Sequence, residues 1–286
     1  MSARQTWFTI EIINNTPAIL KKRRFSPNKL LGQNFLISRK FRQKIIEAAN
    51  LSPEDSVLEV GAGDGTLTFE IAKFASSVIA IEKDAKLASL LQEIAIERKI
   101  KNIIIINGDI LKFAPKKFAE KLKNYKLIGN IPYYLTSRLL RKFLEEEKLK
   151  PKEIILTVQK EVAERITAIP PHMNILALSV QIYGKPEIME KIPADAFWPK
   201  PKVDSAIIKI SEISDDFFAK NKIEQKNFFS LIKTAFSKKR KTLANSLSKY
   251  FGDKKTAEEK IKKAGLHKTA RPEELNLENW VKLLLQ

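Results

Sequence analysis

Val57-Leu58-Glu59-Val60-Gly61-Ala62-Gly63-Asp64-Gly65-Thr66-Leu67-Thr68 passes from a short apolar run, through three glycines at alternate positions, into a helical pattern. Glycines in a strand-to-helix turn let the chain bend tightly and let a ligand approach bare backbone amides. A dinucleotide fingerprint places its third glycine three residues after the second, where pyrophosphate meets the helix N terminus. The alternate spacing here argues against NAD, and a purely structural turn is the plain alternative. Outward from this turn the pattern repeats. Strands are expected at residues 56–60, 78–81, 103–106, 127–129 and 154–158, with helices at 67–74, 85–98, 137–147 and 160–166. Strands alternating with helices imply a parallel sheet covered on both faces. Residues 186–192 and 203–210 read as strands with no helix between them, an antiparallel pair completing one edge. A helix capped by Ser38 is expected to run to about Ala49 and to bury Phe41, Ile45 and Ile46. A further helix is expected at about 175–183. Beyond Ser211 the pattern is helical and Lys-rich, which reads as a small all-α domain.

The chain of 286 residues carries 52 Lys and Arg against 33 Asp and Glu, a net charge of +19. Such a charge repels itself in a compact state unless a polyanion offsets it, which points to nucleic acid; a solvated lysine surface is the alternative. Nine basic residues lie between Lys21 and Lys44, and no acid lies between Glu11 and Glu47. With no cysteine there is neither a disulfide framework nor a thiolate zinc site, and His172 and His267 are too few for a metal centre. Residues 7–20 are interrupted by Glu11, Asn14 and Asn15, unlike a secretory signal, and no segment approaches the roughly 20 apolar residues of a membrane span. The expectation is a cytoplasmic protein without metal or membrane association.

Two acids follow expected strands on the side of the glycine turn. Glu82 stands about 20 residues beyond Gly61, a spacing at which a carboxylate can accept hydrogen bonds from both hydroxyls of a ribose. Asp109 ends the next strand; it can accept from an adenine amine, or it can simply form a turn. The fourth strand ends in Asn130-Ile131-Pro132-Tyr133. In-line attack on a sulfonium methyl needs an amine lone pair aimed at that carbon, whereas an adenine amine delocalises its lone pair into the ring. If the Asn130 side-chain oxygen and the Ile131 carbonyl accept the two amine hydrogens, the nitrogen is pushed toward tetrahedral geometry. Pro132 fixes the turn, and Tyr133 can stack on the base. An ordinary Asn-Pro turn with a half-buried Tyr is the alternative.

Together with Leu31-Gly32-Gln33-Asn34-Phe35-Leu36, Phe197-Trp198-Pro199-Lys200-Pro201-Lys202-Val203-Asp204-Ser205 and Arg271-Pro272-Glu273-Glu274-Leu275, these motifs resemble the ribosomal RNA adenine dimethyltransferases, over the chain from about Phe25 onward. The resemblance implies an α/β fold: a Rossmann-like class I methyltransferase sheet, mostly parallel with an antiparallel edge, over residues 25–211. A helical rRNA-binding domain at 212–286 and an N-terminal extension at 1–24 with a basic end complete the expected organisation. S-adenosylmethionine is the implied cofactor, with Asn34 and Leu36 closing over its methionine part, Gly61 touching it from the turn, Glu82 on the ribose, Asp109 on the adenine and Asn130 between cofactor and target. The family also implies Phe197 against the flipped base opposite Tyr133, where the residue pattern alone reads Phe197 as core. Lys21, Lys22, Arg23, Arg24 and the run Lys238, Lys239, Arg240 and Lys241, read as beginning a helix after Phe236, are the expected RNA contacts; a solvated face is the alternative for the last four, and the total charge with the first patch favours RNA. The implied substrate is two adjacent adenines of 16S rRNA in a small-subunit precursor particle, attacked by a monomer. Rival readings are a large-subunit rRNA dimethyltransferase, a DNA adenine methyltransferase and a non-catalytic rRNA-binding assembly factor. Ala62 replaces the family's usual proline, Tyr134 stands where the family varies, and the loop at 169–174 is short.

Overall fold

The computed structural model describes Leu20, residues 25–238 and residues 241–286. The chain divides into two compact units, residues 1–163 with 187–213, and residues 164–186 with 214–286.

In the first unit the strands are β1 (Phe35–Leu36), β2 (Ser56–Val60), β3 (Ser77–Glu82), β4 (Ile103–Asn107), β5 (Lys126–Asn130), β6 (Glu153–Gln159), β7 (Lys185–Ile192), β8 (Phe197–Trp198) and β9 (Ser205–Ser211). Seven of them form one sheet in the order β4-β3-β2-β5-β6-β9-β7. Pairing is parallel from β4 through β6 and antiparallel between β6 and β9. The strands of the parallel core read as continuous apolar runs because both faces are covered; all five residues of β2 are buried. The methyltransferase-type sheet with an antiparallel edge is therefore present. The remaining two strands were not apparent from periodicity. β1 and β8 make a separate antiparallel ribbon, Phe35 opposite Trp198 and Leu36 opposite Phe197, too short to show alternation.

The helix Arg39–Ala49 buries Phe41, Ile45, Ala48 and Ala49 in a cluster with Val57, Ile128, Ile155 and Ile207 of the sheet. Ser38 occupies its N-cap position without a side-chain cap bond, and Ile46 is only partly buried. Its buried polar residue is Arg42, whose guanidinium pairs with Glu70 at 3.1 Å and donates to the carbonyls of Leu36 (3.0 Å) and Ile37 (2.8 Å). An arginine there escapes the cost of an unpaired buried charge because its donors find a carboxylate and two carbonyls. At the far end of the same helix, Lys126 donates to the carbonyls of Ala49 (2.8 Å) and Asn50 (3.0 Å), and Lys209 to that of Ala48 (3.1 Å). Cations thus meet the negative end of the helix dipole. The helix expected at 137–147 is α-helical over Thr136–Arg141 and becomes a π-turn over Lys142–Glu146.

The second unit contains the helices Ile175–Gln181, Asp216–Lys220, Gln225–Phe236, Leu243–Leu247, Lys254–Lys263 and Leu277–Leu284. Asp253 and Asn276 cap two of them through Thr256 N (2.8 Å) and Asn279 N (2.9 Å), and Trp280, its ring tilted against Phe236 at 6.0 Å, is fully buried. A single cut near Ser211 does not describe this division, because residues 164–186 group with the C-terminal helices. Met173 N donates to Glu273 O (2.9 Å), Ser214 N to Tyr183 O (2.9 Å), and Tyr183 meets Phe218 edge-on at 6.2 Å. These contacts hold the short 169–174 loop and its following helix to the C-terminal unit. Among the described residues no helix is long and apolar enough to cross a membrane.

Candidate active site

Strand order reverses at β2: β3 and β4 lie on one side, β5 and β6 on the other. Connections leave in opposite directions at such a switch point, and a crevice opens outside the carboxyl ends of the strands. An open crevice occupies this place, lined by residues 31–35, Gly61, Gly63, Glu82, Asp109, Asn130 and Tyr133 among others.

One wall follows the glycine turn. Gly61 and Gly63 have φ of +71° and +60°, and a Cβ on Gly63 would lie 3.3 Å from the Phe35 ring, so the turn admits glycine for both backbone and space. The amides are not bare, however. Gly61 N and Ala62 N donate to Ile81 O, Gly63 N to Glu82 Oε2, Gly65 N to Ala62 O and Thr66 N to Asp64 Oδ1. Five of the turn's amides are therefore already engaged within the protein. Glu82 is buried, and it accepts from Gly63 N and Asp84 N at 2.8 Å each. Burial raises its pKa, with the two amides opposing the shift. A carboxylate oxygen can accept more than one hydrogen bond, so these two bonds do not exhaust the acceptor capacity of Glu82. Asp109 accepts from Leu111 N (3.0 Å) and pairs with Lys83 (3.0 Å). Partial burial pushes its carboxyl up, but the Lys83 ammonium and the Leu111 amide outweigh this and hold it below the ordinary aspartate value. Beneath this wall lies Glu59, fully buried, its carboxyl pushed up to about 8 by burial and further by the nearby charges of Asp64 and Glu82.

The opposite wall is the end of β5. A Cβ on Gly129 would lie 2.6 Å from Val60 O, so the backbones of β5 and β2 meet too closely for any side chain just before Asn130. Asn130 Nδ2 donates to Asn34 O at 2.9 Å. A carbonyl can only accept, so this bond settles which end of the amide faces Asn34 and leaves Oδ1 as the acceptor on the other end. Ile131 packs into the core, and Pro132 (φ −55°, ψ 133°) leads into a 3-10 turn over Tyr133–Leu135. Tyr133 is half-buried; burial raises its pKa, and a 2.8 Å hydrogen bond to Ser205 opposes the rise.

The segment before β1 closes the crevice. Gly32 has φ +64°, and a Cβ there would lie 3.1 Å from Pro132 and 3.3 Å from the Tyr134 ring. Gln33, which motif spacing did not single out, accepts from Asn28 N (2.7 Å) and donates to Asp84 (3.1 Å), tying the segment to the start of the helix Ala85–Glu97. Phe35 lines the crevice and stacks on Trp198 at 6.2 Å.

The structure therefore brings Asn34, Gly61, Glu82, Asp109, Asn130, Ile131, Pro132 and Tyr133 to one crevice. It does not bring Leu36 or Phe197 there. Both are buried, face each other across the β1–β8 ribbon and belong to the core cluster of Phe41 and Ile45, as the residue pattern of Phe197 alone suggested. Alternation along β1 explains Leu36: its neighbour Phe35 takes the crevice side. Lys21, Lys22, Arg23, Arg24, Lys239 and Arg240 lie outside the described residues. Lys238 and Lys241 are exposed, between the helices Gln225–Phe236 and Leu243–Leu247 rather than at a helix start, because the first helix ends at Phe236 and the next begins after Thr242.

Comparison with known proteins bears on the family. Residues 24–285 match the family model described as ribosomal RNA adenine dimethylase. A protein of Dehalococcoides mccartyi named ribosomal RNA small subunit methyltransferase A is 42% identical over 262 residues, 90% of this chain and 87% of the relative. A protein of the same name from Clostridium botulinum is 39% identical over 94% of this chain and 97% of the relative. Among solved structures, a dimethyladenosine transferase from Plasmodium falciparum superposes with a TM-score of 0.74 at 26% identity, covering 87% of this chain and 95% of that one. The 23S rRNA methyltransferase ErmE superposes with a TM-score of 0.70 at 28% identity, covering 88% and 98%. With a sheet of methyltransferase order, a crevice at its switch point, and a family match across nearly all of its length, the chain belongs to the ribosomal RNA adenine dimethylases, S-adenosylmethionine-dependent methyltransferases.

Proposed function

We propose that this protein dimethylates the N6 amines of two adjacent adenines of 16S rRNA, acting as a cytoplasmic monomer on a small-subunit precursor particle. The observation that carries the chemistry is the Asn130 amide, turned by the Asn34 carbonyl so that Oδ1 is the free-standing acceptor at the end of β5. The small-subunit target rests on relatives of that name at 42% and 39% identity, against 28% for the large-subunit enzyme of known structure.

The residues of the first wall suit S-adenosylmethionine: Gly63 where a Cβ would crowd Phe35, the buried Glu82 carboxylate bonded to the turn, and Asp109 on the same crevice, with Asn34 adjoining them. Bound there, the cofactor supplies an electrophilic methyl group. The chain's own part is orientation. Asn130 Oδ1 and the Ile131 carbonyl accept the amine hydrogens and hold the nitrogen lone pair in line, and Tyr133 stacks on the extruded base. The methylated nitrogen loses its proton readily, so no general base is needed. Lys238 to Lys241 and Lys21 to Arg24 neutralise phosphates of the RNA.

The test is to incubate the protein with labelled S-adenosylmethionine and, in parallel, unmethylated small subunits, large-subunit RNA or duplex DNA, then map the label. Dimethyladenine at two adjacent positions is expected. Label on large-subunit RNA or duplex DNA instead, or cofactor binding without any transfer, would overturn the assignment.

A further inference from the structure

Ser205 is the first residue of β9, the one strand shown to run antiparallel beside the parallel core. An antiparallel strand begins where its parallel neighbours end. Ser205 pairs with Gln159 at the carboxyl end of β6, on the same sheet edge where Asn130 of β5 pairs with Thr157. From there its hydroxyl reaches across to the Tyr133 hydroxyl at 2.8 Å. Ser205 is fully buried, whereas Tyr133 has its ring at the crevice. The preceding residue is fixed as well: Asp204 Oδ1 accepts from Ala194 N at 3.0 Å, and Asp204 O from Lys160 N at 3.0 Å.

We propose that Ser205 is a positioning residue for methyl transfer: its hydrogen bond fixes the plane of the Tyr133 ring, so that the extruded adenine stacks with its amine at Asn130. The inference rests on the reading of Tyr133 as the stacking partner. A tyrosine on a 3-10 turn is held at its backbone end, and without a second anchor the ring can turn about its side-chain bonds. The anchor at the hydroxyl end restricts that rotation before the base arrives, so the base meets a ring already in place. Ser205 touches neither substrate nor cofactor in this account, and Asp204 keeps its hydroxyl at the right height on the sheet edge. A merely structural hydroxyl pair predicts a different outcome, namely lower thermal stability at unchanged turnover.

The experiment compares Ser205→Ala, Tyr133→Phe, the double variant and Tyr133→Ala in single-turnover methyl transfer to unmethylated small subunits at saturating S-adenosylmethionine. Cofactor affinity and thermal midpoints are measured alongside. Ser205→Ala and Tyr133→Phe are each expected to lower the maximal rate about tenfold, the scale of one buried neutral hydrogen bond. The half-saturating subunit concentration and the cofactor affinity should hold, and the double variant should be no slower than either single one because both delete the same bond. Wild-type rates in both single variants beside an inactive Tyr133→Ala would overturn the anchor, and so would losses that add in the double variant. A wild-type rate in Tyr133→Ala would instead overturn the stacking reading beneath it. Should Ser205→Ala fail to fold, Tyr133→Phe decides alone, since it deletes the bond from the half-exposed partner.

Discussion

On the cofactor wall Glu82 reaches Gly63, 19 residues away, and Asp84, two residues away; on the acceptor wall Asn130 reaches Asn34 across 96 residues and Tyr133 reaches Ser205 across 72. The first wall is built from consecutive strands and their turns, so it is complete once β2, β3 and β4 are paired. The second depends on a segment that precedes the sheet and on a strand that returns at its far edge. Closing long loops costs entropy that only the finished fold recovers. The acceptor wall is therefore the part of the site that distant substitutions can disturb, and the cofactor wall the part that tolerates them.

Breaking the acceptor wall at Asn130 should give the largest effect. Asn130→Ala is expected to lower the methyl-transfer rate by roughly 10²–10³, the scale for losing one oriented polar group, with RNA affinity little changed. Asn130→Asp separates orientation from acceptance: it keeps an oxygen acceptor but has no hydrogen for the Asn34 carbonyl, and it sets a negative charge beside it. Comparable losses in both variants by single-turnover assay would support orientation by Asn34, whereas near-normal rates in Asn130→Asp would remove Asn34 from the mechanism.

The same contrast governs what was legible in the sequence. Gly61, Glu82 and Asp109 could be placed because each ends or follows a strand of the repeating pattern, and spacing along one sheet edge converts directly into proximity. Asn130 could be placed for the same reason. Its orientation could not, because Asn34 lies in a segment with no periodicity. The β1–β8 ribbon hides for a related cause: two residues per strand carry no alternation, so Leu36 and Phe197 were drawn toward the crevice by family likeness while packing put them in the core. Arg42 offered the opposite signal. An arginine on the apolar face of a helix reads as solvated, and the carbonyls of Leu36 and Ile37 together with Glu70 explain why it is buried.

Under the cofactor wall, Glu59 should make stability depend on pH. Its folded-state pKa of about 8 lies above the ordinary value of 4.5, so between these limits the folded chain holds a proton that the unfolded chain releases. Stability is therefore lost as pH rises through that window. Glu59→Gln keeps the shape without the charge, and its stability relative to wild type should rise by on the order of 3 kcal/mol between pH 5 and pH 8. Urea unfolding midpoints at the two pH values measure this. A difference between variant and wild type that does not change with pH would show that Glu59 is not held neutral.

Glu82 carries the next effect, and it sharpens the comparison because the residue has both a structural and a ligand-facing part. Glu82→Ala should weaken S-adenosylmethionine binding by roughly 1.5–3 kcal/mol, the range for hydrogen bonds to charged groups, and should leave the amides of Gly63 and Asp84 without acceptors. Glu82→Gln retains one acceptor and should fall between wild type and alanine. Unchanged affinity by calorimetry in the alanine variant would take Glu82 out of the site.

The smallest effect is expected at the rim, where Lys83 pairs with Asp109. The lysine side chain is 54% exposed, and ion pairs that open to water contribute little because solvent screens them and ordering a long side chain offsets the attraction. Lys83→Met should therefore leave the thermal midpoint where it is. Asp109 would lose the Lys83 ammonium, the strongest of the groups that lower its pKa, while the Leu111 amide and the Lys112 charge remain. If Asp109 receives the adenine amine of the cofactor, freeing it from the ammonium should shift S-adenosylmethionine affinity by no more than about threefold, toward tighter binding, consistent with the weakness of exposed pairs. Asp109→Ala should weaken binding instead. Calorimetric titration of the two variants side by side separates the roles. A tenfold loss in Lys83→Met with no loss in Asp109→Ala would exchange them, making the lysine the cofactor contact and the aspartate only its holder.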